Sequence, residues 1–552
     1  MRWWQTGVIY EVFLRSFADA SGDGVGDVQG VIQRLPYLEW LGVDVIWLSP
    51  LYPSPMRDSG YDVTDLCDVH PALGTLADMD QLLKEAHGRG LRVVLDLVIN
   101  HTSAEHPWFQ RSRSSREDPY RNWYIWRDPA PDGGAPNNWQ SVTGGSAWSF
   151  DEHTGQYYLH SFLPFQPDLN WREPQVREAV HDVVRFWLDR GVDGFRIDMV
   201  DFLVKDADFR DEPPNLDYDP SPDKPWYSSW YQNQHIYSSN HPDCHGAIKE
   251  LRALIDSYGD RVAIGELDFH TPLADQLTYF GDDDELHLPF NFGLVPLPFT
   301  AEALRSYIDE YDTKIGQHWP NYTLGNHDLP RIASRFGEHG ARLAALLLLT
   351  LRGTPTLYYG DELGMTNVTV PPEQIQDPWE DRQPGSGRDP ARSPMPWDGG
   401  HHAGFSTVEP WLPLGPNRQH HVAAQAQDPA SPLTLYRRLL TLRRSSRALV
   451  GGEYRSIAAP DGCFAYLRET PDESMLVALN LTDRETELSL NPRPPARVLL
   501  STRTDLPERG PISGTSLHLA AWEGVVVHVG TPARPEPWPD LAAPATPREP
   551  AT

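Results

Sequence analysis

The chain has very few cysteines and a shortage of basic residues. Only Cys67, Cys244 and Cys463 occur among 552 residues, and their wide spacing excludes a disulfide framework and a cysteine-rich metal site. This usage is typical of a reducing compartment, so we predict a cytoplasmic protein. The 77 acidic residues outnumber the 47 basic ones and give a net charge of −30. Because nucleic-acid binding requires a basic stripe, that class of partner is excluded.

The sequence also lacks a long hydrophobic run. Its longest apolar stretch, Leu343–Leu349, is much too short to span a bilayer. The first residues, Met1–Thr6, have no apolar core like that of a signal peptide. We therefore predict no membrane association.

The sequence does contain a repeated alternation of strand-like and helix-like segments. Short apolar runs predict eight strands at Val8–Phe17, Val43–Pro50, Arg92–His101, Val192–Val200, Arg261–Leu267, Leu286–Phe292, Asn321–Asp328 and Thr354–Gly360. Helical periodicity predicts helices at Val28–Leu41, Met79–Gly88, Gln175–Arg190, Gly246–Tyr258, Ala301–Ile315, Ala341–Leu351 and Leu433–Ser445. This order is typical of a parallel (β/α)8 TIM barrel, and a doubly wound open sheet shows the same alternation.

Changes in composition divide the chain into three domains and a tail. Residues 1–101 and 172–452 carry the alternation and form the predicted barrel. Residues 102–171 are rich in Trp, Pro, Gly, Asn and Asp and are too long for a barrel loop, so we predict an inserted domain after strand 3. Short strands in 453–531 predict a C-terminal antiparallel β-sandwich, and the Pro- and Ala-rich residues 532–552 predict a disordered tail.

Carboxylates end several predicted strands, which is where a barrel places its active site. Arg196 and Asp198 lie two positions apart on one strand face, so the guanidinium can hold Asp198 ionised. Glu266 follows the apolar run Val262–Gly265 and is expected to keep its proton. Two such carboxyl groups can cleave a glycosidic bond, one as nucleophile and one as acid and base, while Asp328 stabilises the oxocarbenium ion.

Several motifs around these acids resemble those of the α-amylase superfamily of glycoside hydrolases. Asp96–His101, Gly194–Val200, Gly265–Leu267 and Asn326–Asp328 look like its conserved regions, in the right order. Gln166–Asn170 looks like the extra signature of the oligo-1,6-glucosidase and α-glucosidase branch. The resemblance implies that Asp198 is the nucleophile, Glu266 the general acid and base, and Asp328 the transition-state stabiliser.

The resemblance also implies a set of residues that bind the innermost sugar. Hydroxyl-rich sugars need matching donors and acceptors, which these side chains supply. The residues are Asp62, His101, Phe162, Gln166, Arg196 and His327. An arginine from the stretch 387–397 is expected to join them, and we favour Arg388.

A loop after the first strand has the spacing of a cation site. Oxygen ligands stand at every second position, at Asp19, Ser21, Asp23, Val25 through its carbonyl group, and Asp27. Gly30 stands where an EF-hand has its glutamate, so the loop is not an EF-hand. Relatives in the resembled branch bind Ca²⁺ or Mg²⁺ at such a loop, and we expect the ion to be structural.

Together these observations predict a retaining, exo-acting α-glucosidase that acts on short α-glucoside oligosaccharides. Two alternatives stay open. A glucosyltransferase or trehalose-forming isomerase would use the same covalent intermediate, and a non-catalytic barrel subunit would belong to another class. Non-catalytic relatives generally lack an intact triad and carry a membrane anchor, whereas this sequence has the triad. Linkage preference and oligomeric state are left undetermined by the sequence.

Overall fold

Eight short parallel strands form the central sheet of the computed structural model, which describes residues 1–218, 230–269, 271–490, 495–504, 510–512 and 514–530. In chain order, barrel strands 1 to 8 are Ile9–Val12, Val45–Leu48, Arg92–Leu97, Gly194–Ile197, Val262–Gly265, Leu288–Pro289, Asn321–Thr323 and Thr354–Tyr358. Strand 8 pairs with strand 1, and an isolated parallel bridge between Asn291 and Tyr322 joins the edges next to strands 6 and 7. The predicted TIM barrel is confirmed.

Helices lie between the barrel strands, as predicted. The longer ones are Val28–Leu41, Leu76–Gly88, Pro107–Ser114, Pro174–Asp189, Cys244–Asp256, Ala301–Ile315, Ile332–Thr350 and Pro432–Ser445. The prediction matched both ends of two of them, Val28–Leu41 and Ala301–Ile315. It missed the first turns of Ile332–Thr350, where Gly337 interrupts the helical backbone with φ 69°.

The strands are shorter than their apolar runs suggested. The run predicted as Val8–Phe17 is a strand only at Ile9–Val12 and then becomes the short helix Leu14–Phe17. Strand 6 covers only Leu288–Pro289, because proline has no N–H to donate to a ladder. Apolar runs therefore marked burial rather than the extent of pairing, since loops above the barrel are buried too.

Side chains alternate between the barrel interior and the surrounding helices. Ile9, Val45, Val94, Val262 and Ile264 belong to a separate apolar cluster that fills the barrel. Towards the carboxyl ends of the strands the inward positions become polar. The charged side chains of Glu11, Asp96 and Arg196 therefore lie next to the apolar cluster that fills the barrel.

Antiparallel sheets flank the barrel in the regions where additional domains were predicted. Trp126–Arg127, Trp148–Asp151 and Gln156–Leu159 form a three-stranded sheet within the predicted insertion. After the barrel, a five-stranded sheet is formed by Glu453–Ile457, Cys463–Glu469, Ser474–Asn480, Ala496–Ser501 and Gly524–Val529. A two-stranded sheet of Thr486–Ser489 and Ser516–Leu519 shares an apolar cluster with it. The predicted tail at 532–552 lies outside the described residues.

None of the helices in the described ranges has both the length and the apolar character needed to cross a membrane.

A buried ammonium group ties the insertion to the barrel. Lys205 Nζ donates to Asn100 Oδ1 at 2.8 Å and lies 2.6 Å from Asp168 Oδ2. Asn100 Nδ2 also donates to Asp168 Oδ1 at 3.3 Å. Asn100 follows barrel strand 3, Asp168 lies where the insertion returns, and Lys205 follows strand 4. The ion pair is almost fully buried, so its removal would leave an uncompensated charge.

We predict that Lys205→Met destabilises the protein by about 3–5 kcal/mol, because Asp168 loses its buried counter-ion. Calorimetry of wild type and variant measures the difference in Tm. Lys314→Met is the matched control, since its ion pair with Glu310 is exposed and its loss should leave Tm nearly unchanged. Equal Tm values for the two variants would contradict the buried ion pair as a structural tie.

Candidate active site

A single buried guanidinium, that of Arg196, connects the acids at the top of the barrel. Its Nη1 donates to Asp198 Oδ1 at 2.8 Å and to Asp96 Oδ1 at 2.7 Å. Its Nη2 donates to Glu266 Oε2. Arg196 lies on strand 4, and Asp198 and Glu266 directly follow strands 4 and 5. Parallel pairing in register therefore brings these residues to one point.

Asp96 is the acid that the prediction did not include. Burial raises its pKa to about 7, while Arg196 opposes that shift. Trp47 Nε1 and the Tyr61 hydroxyl donate to its Oδ2 at 3.2 and 3.0 Å. Donors therefore surround both oxygens, and they stabilise the anionic form. Its place inside the predicted motif Asp96–His101 was the signal that could have found it.

Glu266 has the environment expected of a proton donor. Burial raises the pKa of its carboxyl group well above the ordinary value, and the negative charges of Asp198 and Asp328 act in the same direction. Arg196 opposes the shift without cancelling it. The sequence predicted a contact of Arg196 with Asp198, and the structure shows that Arg196 contacts Glu266 as well.

Asp328 lies among positive groups and stays ionised. Arg392 Nη2 and Arg388 Nη1 donate to its Oδ1 at 2.8 and 3.1 Å. Burial would raise the pKa of Asp328, but the guanidinium groups of Arg388 and Arg392 help to hold it well below the ordinary value. The sequence favoured Arg388 from the stretch 387–397, and the structure brings Arg392 to the same carboxylate as well.

Arg388 is itself held by two acids that sequence reasoning missed. Its guanidinium donates to Asp58 Oδ1, and its Nε and backbone N–H donate to Asp377 Oδ2 at 2.8 and 2.6 Å. The ring of Trp379 lies 4.4 Å from its guanidinium carbon. Gln166 Nε2 donates to Asp58 Oδ2 at 2.8 Å, so the predicted residue Gln166 joins the site through Asp58.

The predicted residue Asp62 does not join this network. Its carboxylate is fully buried and accepts hydrogen bonds from Ser54 Oγ at 2.8 Å and from the backbone N–H groups of Arg57 and Asp58. Burial raises the pKa of Asp62 to about 6. Asp62 thus stabilises the backbone of the turn at residues 54–62, while Asp58 in the same turn contacts Arg388. Sequence spacing alone does not distinguish the roles of two carboxylates within one turn.

Among the described residues, His101 and Phe162 lie beside the acid network and form no hydrogen bond or ion pair with Asp198, Glu266 or Asp328. His101 Nε2 is 3.1 Å from the carbonyl oxygen of Tyr61, and its ring centroid is 5.4 Å from that of Phe162. Phe162 also packs at 5.3 Å against Phe202. Both predicted residues therefore lie next to Tyr61, which itself contacts Asp96 and His327.

In the predicted cation loop, the carboxylates of Asp19 and Asp27 accept hydrogen bonds from backbone N–H groups of the loop itself. Asp19 accepts from the N–H groups of Gly22 and Gly24 at 2.6 and 2.8 Å, and Asp27 accepts from those of Ala20 and Ser21. Burial opposes ionisation of Asp19, but hydrogen bonds to its carboxylate lower its pKa below the ordinary value.

Over the part of the chain that is described, no three His, Cys, Asp or Glu side chains gather closely enough to hold a metal ion. A ligand set at the cation loop would therefore need the Ser21 hydroxyl and the Val25 carbonyl as well, and these are the oxygen donors that hard cations take. The loop has donors of the right chemistry, and the ion stays a prediction.

Comparisons with known proteins agree with the geometry. Residues 11–452 match the family model of the alpha amylase catalytic domain. The probable alpha-glucosidase of Rhizobium meliloti (strain 1021) is 41% identical over 496 residues, which cover 87% of this chain and 90% of that protein. The oligo-1,6-glucosidase of Parageobacillus thermoglucosidasius is 38% identical over 522 residues, covering 87% and 91%. The crystal structure of the alpha-glucosyl transfer enzyme XgtA superposes with a TM-score of 0.90 at 39% identity and covers 96% of this chain and 100% of that one.

We predict that Asp377→Asn lowers kcat/KM for an aryl α-glucoside by about tenfold or more, because Arg388 loses charge-assisted hydrogen bonds that fix its orientation. Asp381→Asn is the matched control: it lies in the same short helix, Pro378–Arg382, and is exposed. Steady-state kinetics of both variants check the expectation. An Asp377→Asn enzyme as active as the Asp381→Asn enzyme would rule out this role.

Proposed function

Because the chain belongs to the α-amylase family of glycoside hydrolases, we propose that it is a retaining, exo-acting α-glucosidase that releases glucose from the non-reducing ends of short α-linked oligosaccharides. One observation carries the proposal. Asp198 and Glu266 bind adjacent nitrogens of the same guanidinium, that of Arg196.

The closeness of these two carboxyl groups favours retention over inversion. Inverting enzymes keep their carboxyl groups about 6.5–9.5 Å apart to admit a water, whereas retaining enzymes keep them about 5–5.5 Å apart. Two groups that share one guanidinium leave little room for that water. We therefore propose that the second carboxylate attacks the sugar directly.

In the proposed reaction, a carboxylate oxygen of Asp198 attacks the anomeric carbon while Glu266 gives its proton to the departing glycosidic oxygen. The bond to the leaving group breaks as the β-glucosyl ester forms. Water then attacks the ester, Glu266 takes back a proton, and glucose leaves with its original configuration. Asp328 stabilises the positive charge of the oxocarbenium-like transition state, because its pKa keeps it ionised.

Exo action follows from the buried links around Asp58. Arg388 donates to both Asp58 and Asp377 next to Asp328, and Gln166 from the insertion donates to Asp58. All four are buried, so we propose that they end the pocket behind the innermost sugar. Long chains that extend past both sides of that sugar would then be excluded.

Transfer to a sugar acceptor is the main alternative. XgtA, whose fold is so similar, is named as an alpha-glucosyl transfer enzyme. The same ester would serve both reactions, and the two differ only in whether water or an acceptor hydroxyl attacks it. A non-catalytic role is disfavoured, because the three acids are intact and joined through Arg196 and its neighbours.

A substrate panel tests the function. We expect maltose- or isomaltose-type disaccharides to release free glucose, which appears first as the α-anomer by proton NMR, and starch and dextran to be poor substrates. Products longer than the substrate would indicate transfer. Release of β-glucose, or mid-chain cleavage of starch into large fragments, would contradict retention or exo action respectively.

We predict that Asp198→Ala lowers turnover by several orders of magnitude, because no ester can form. Glu266→Gln should strongly impair cleavage of disaccharides, with a milder loss of kcat/KM for an aryl glucoside whose leaving group needs little protonation; kcat should still fall, because hydrolysis of the ester loses its base.

The pH dependence gives a second readout for Glu266. Its raised pKa keeps it protonated where an ordinary glutamate is ionised, so kcat/KM for disaccharides should fall as pH rises through that pKa. The Glu266→Gln enzyme, acting on the activated aryl glucoside, should lack this alkaline limb. An unchanged limb in the variant would assign it to another group.

We also propose that the loop of Asp19, Ser21, Asp23, Val25 and Asp27 binds Ca²⁺ or Mg²⁺ in a structural role. The carboxylate of Asp19 is held by hydroxyl and N–H groups rather than by lysine or arginine, which leaves its charge for a cation. The loop carries none of the catalytic acids.

Chelation should therefore lower Tm, and added Ca²⁺ should restore it. At a hundredfold excess over Kd, the ion should contribute about 2.7 kcal/mol to the free energy of unfolding. Activity at low temperature should stay the same. Asp23→Asn should abolish the response, because it removes a proposed ligand. Asp132→Asn is the matched control and should keep the response: it lies outside the loop, yet both exposed side chains accept an N–H two residues ahead at 2.9 Å. A Tm insensitive to chelator and Ca²⁺ would reject the site.

A further inference from the structure

Glu11 is a buried acid beneath the catalytic residues for which the reaction above has no use. It lies on barrel strand 1, in register with Trp47 on one side and Tyr358 on the other. Its side chain is fully buried. Its Oε1 lies 2.5 Å from His327 Nδ1, and its Oε2 has no hydrogen-bond partner in the described structure.

His327 packs against two aromatic rings and has a polar contact at each nitrogen. The rings of Phe13 and Tyr61 lie nearly parallel to it, with centroids 5.6 and 5.3 Å away. Its Nε2 lies 2.7 Å from the Tyr61 hydroxyl and 3.5 Å from Asp328 Oδ1. The ring cannot turn over without losing these contacts, so only the proton positions remain to be assigned.

The hydroxyl of Tyr61 fixes the direction of the chain of hydrogen bonds. It donates its one proton to Asp96 Oδ2 at 3.0 Å, since that oxygen also accepts from Trp47 Nε1 and the other oxygen of Asp96 accepts from Arg196. The Tyr61 oxygen must therefore accept from His327 Nε2. Burial lowers the pKa of His327 to about 3, so the ring is neutral and carries only that one proton. Nδ1 of His327 is then unprotonated, and its lone pair accepts a hydrogen bond from a nearby donor.

We propose that Glu11 is a positioning residue, a neutral carboxylic acid whose O–H donates to His327 Nδ1 and thereby fixes the Nε2–H tautomer that faces the sugar. The proposal deepens the proposed function of the same site. The orphaned Oε2 fits it, because a buried neutral carbonyl oxygen without a partner costs far less than a buried anionic one.

The charges around Glu11 are consistent with a neutral acid. Burial raises its pKa well above the ordinary value, and Asp328 and Asp96 raise it further. Arg196 from strand 4 acts in the opposite direction, and the net shift is still upward. The other ionisable neighbour, Tyr358 on strand 8, is held neutral by burial.

The tautomer matters because a sugar hydroxyl next to His327 also faces the anionic Asp328. With sugar bound, Nε2–H can share its one proton between the Tyr61 oxygen and the sugar hydroxyl oxygen, while that hydroxyl donates its own proton to Asp328. With the opposite tautomer, two acceptors would face one hydroxyl, and one of them would lack a proton. Glu11 would thus act on substrate binding through the His327 ring, without contacting the sugar itself.

The experiment is ¹⁵N NMR of histidine-labelled protein, with the His327 signals assigned by their loss in His327→Gln. We expect wild-type enzyme and Glu11→Gln to show a protonated Nε2 and an unprotonated Nδ1, because the glutamine amide can still donate. Glu11→Met removes the donor and should shift the tautomer. Observation of Nδ1–H in the wild type would overturn the proposal, and this reading needs neither an active enzyme nor a folded Glu11→Met variant.

Kinetics provide the functional half of the test. Glu11→Gln should keep kcat/KM within about threefold, and Glu11→Met should lose about tenfold or more. Glu362→Gln is the matched control: Glu362 is a buried acid that accepts from Tyr10 and Tyr37 at 2.7 Å outside the barrel. It should change Tm without changing the His327 tautomer or kcat/KM. A loss of activity in Glu11→Met with an unaltered tautomer would also overturn the proposal, whereas failure of the wild type to hydrolyse any glucoside would count against the proposed function alone.

Discussion

The structure of the site depends on one buried guanidinium. Arg196 has almost no exposure to solvent, yet it carries a charge that three acids share. A buried cation is tolerable only if its counter-ions are held close, and buried acids need the cation for the same reason. Each acid comes from the carboxyl end or the upper part of a parallel strand. The barrel therefore provides the proximity, and the guanidinium determines which groups can be ionised together.

The same principle, a positive group between acids that come from different loops, recurs around the site. Arg388 joins Asp58, Asp377 and Asp328, and Lys205 joins Asp168 to Asn100. These links connect the loops above the barrel to the insertion. Burial raises the pKa of Glu266, whereas around Asp328 the nearby arginines outweigh burial and hold the pKa below the ordinary value. Two acids with widely different pKa values can thus lie within one small cavity.

Sequence reasoning succeeded where local order carried the information. Arg196 and Asp198 share a strand face by simple alternation, and the apolar run before Glu266 indicated its buried environment. It did less well where several carboxylates stand in one turn, because spacing could not distinguish Asp62, which binds the backbone behind the loop, from Asp58, which reaches Arg388. Glu11 looked like an ordinary strand residue, and nothing in its neighbours along the chain points to His327.

The sequence by itself determined the parallel barrel, the flanking β-rich regions and the three acids, because alternation and strand-end motifs are local patterns. Only the tertiary structure decided which charges meet. Arg196 and Glu266 are separated by 70 positions and Arg388 and Asp58 by 330, so their pairing depends on closure of the barrel and on the loops that fold over it. The raised pKa of Glu266 and the contacts of His327 with Glu11 and Tyr61 follow from that packing, since desolvation and contact with distant charges exist only once the chain has folded.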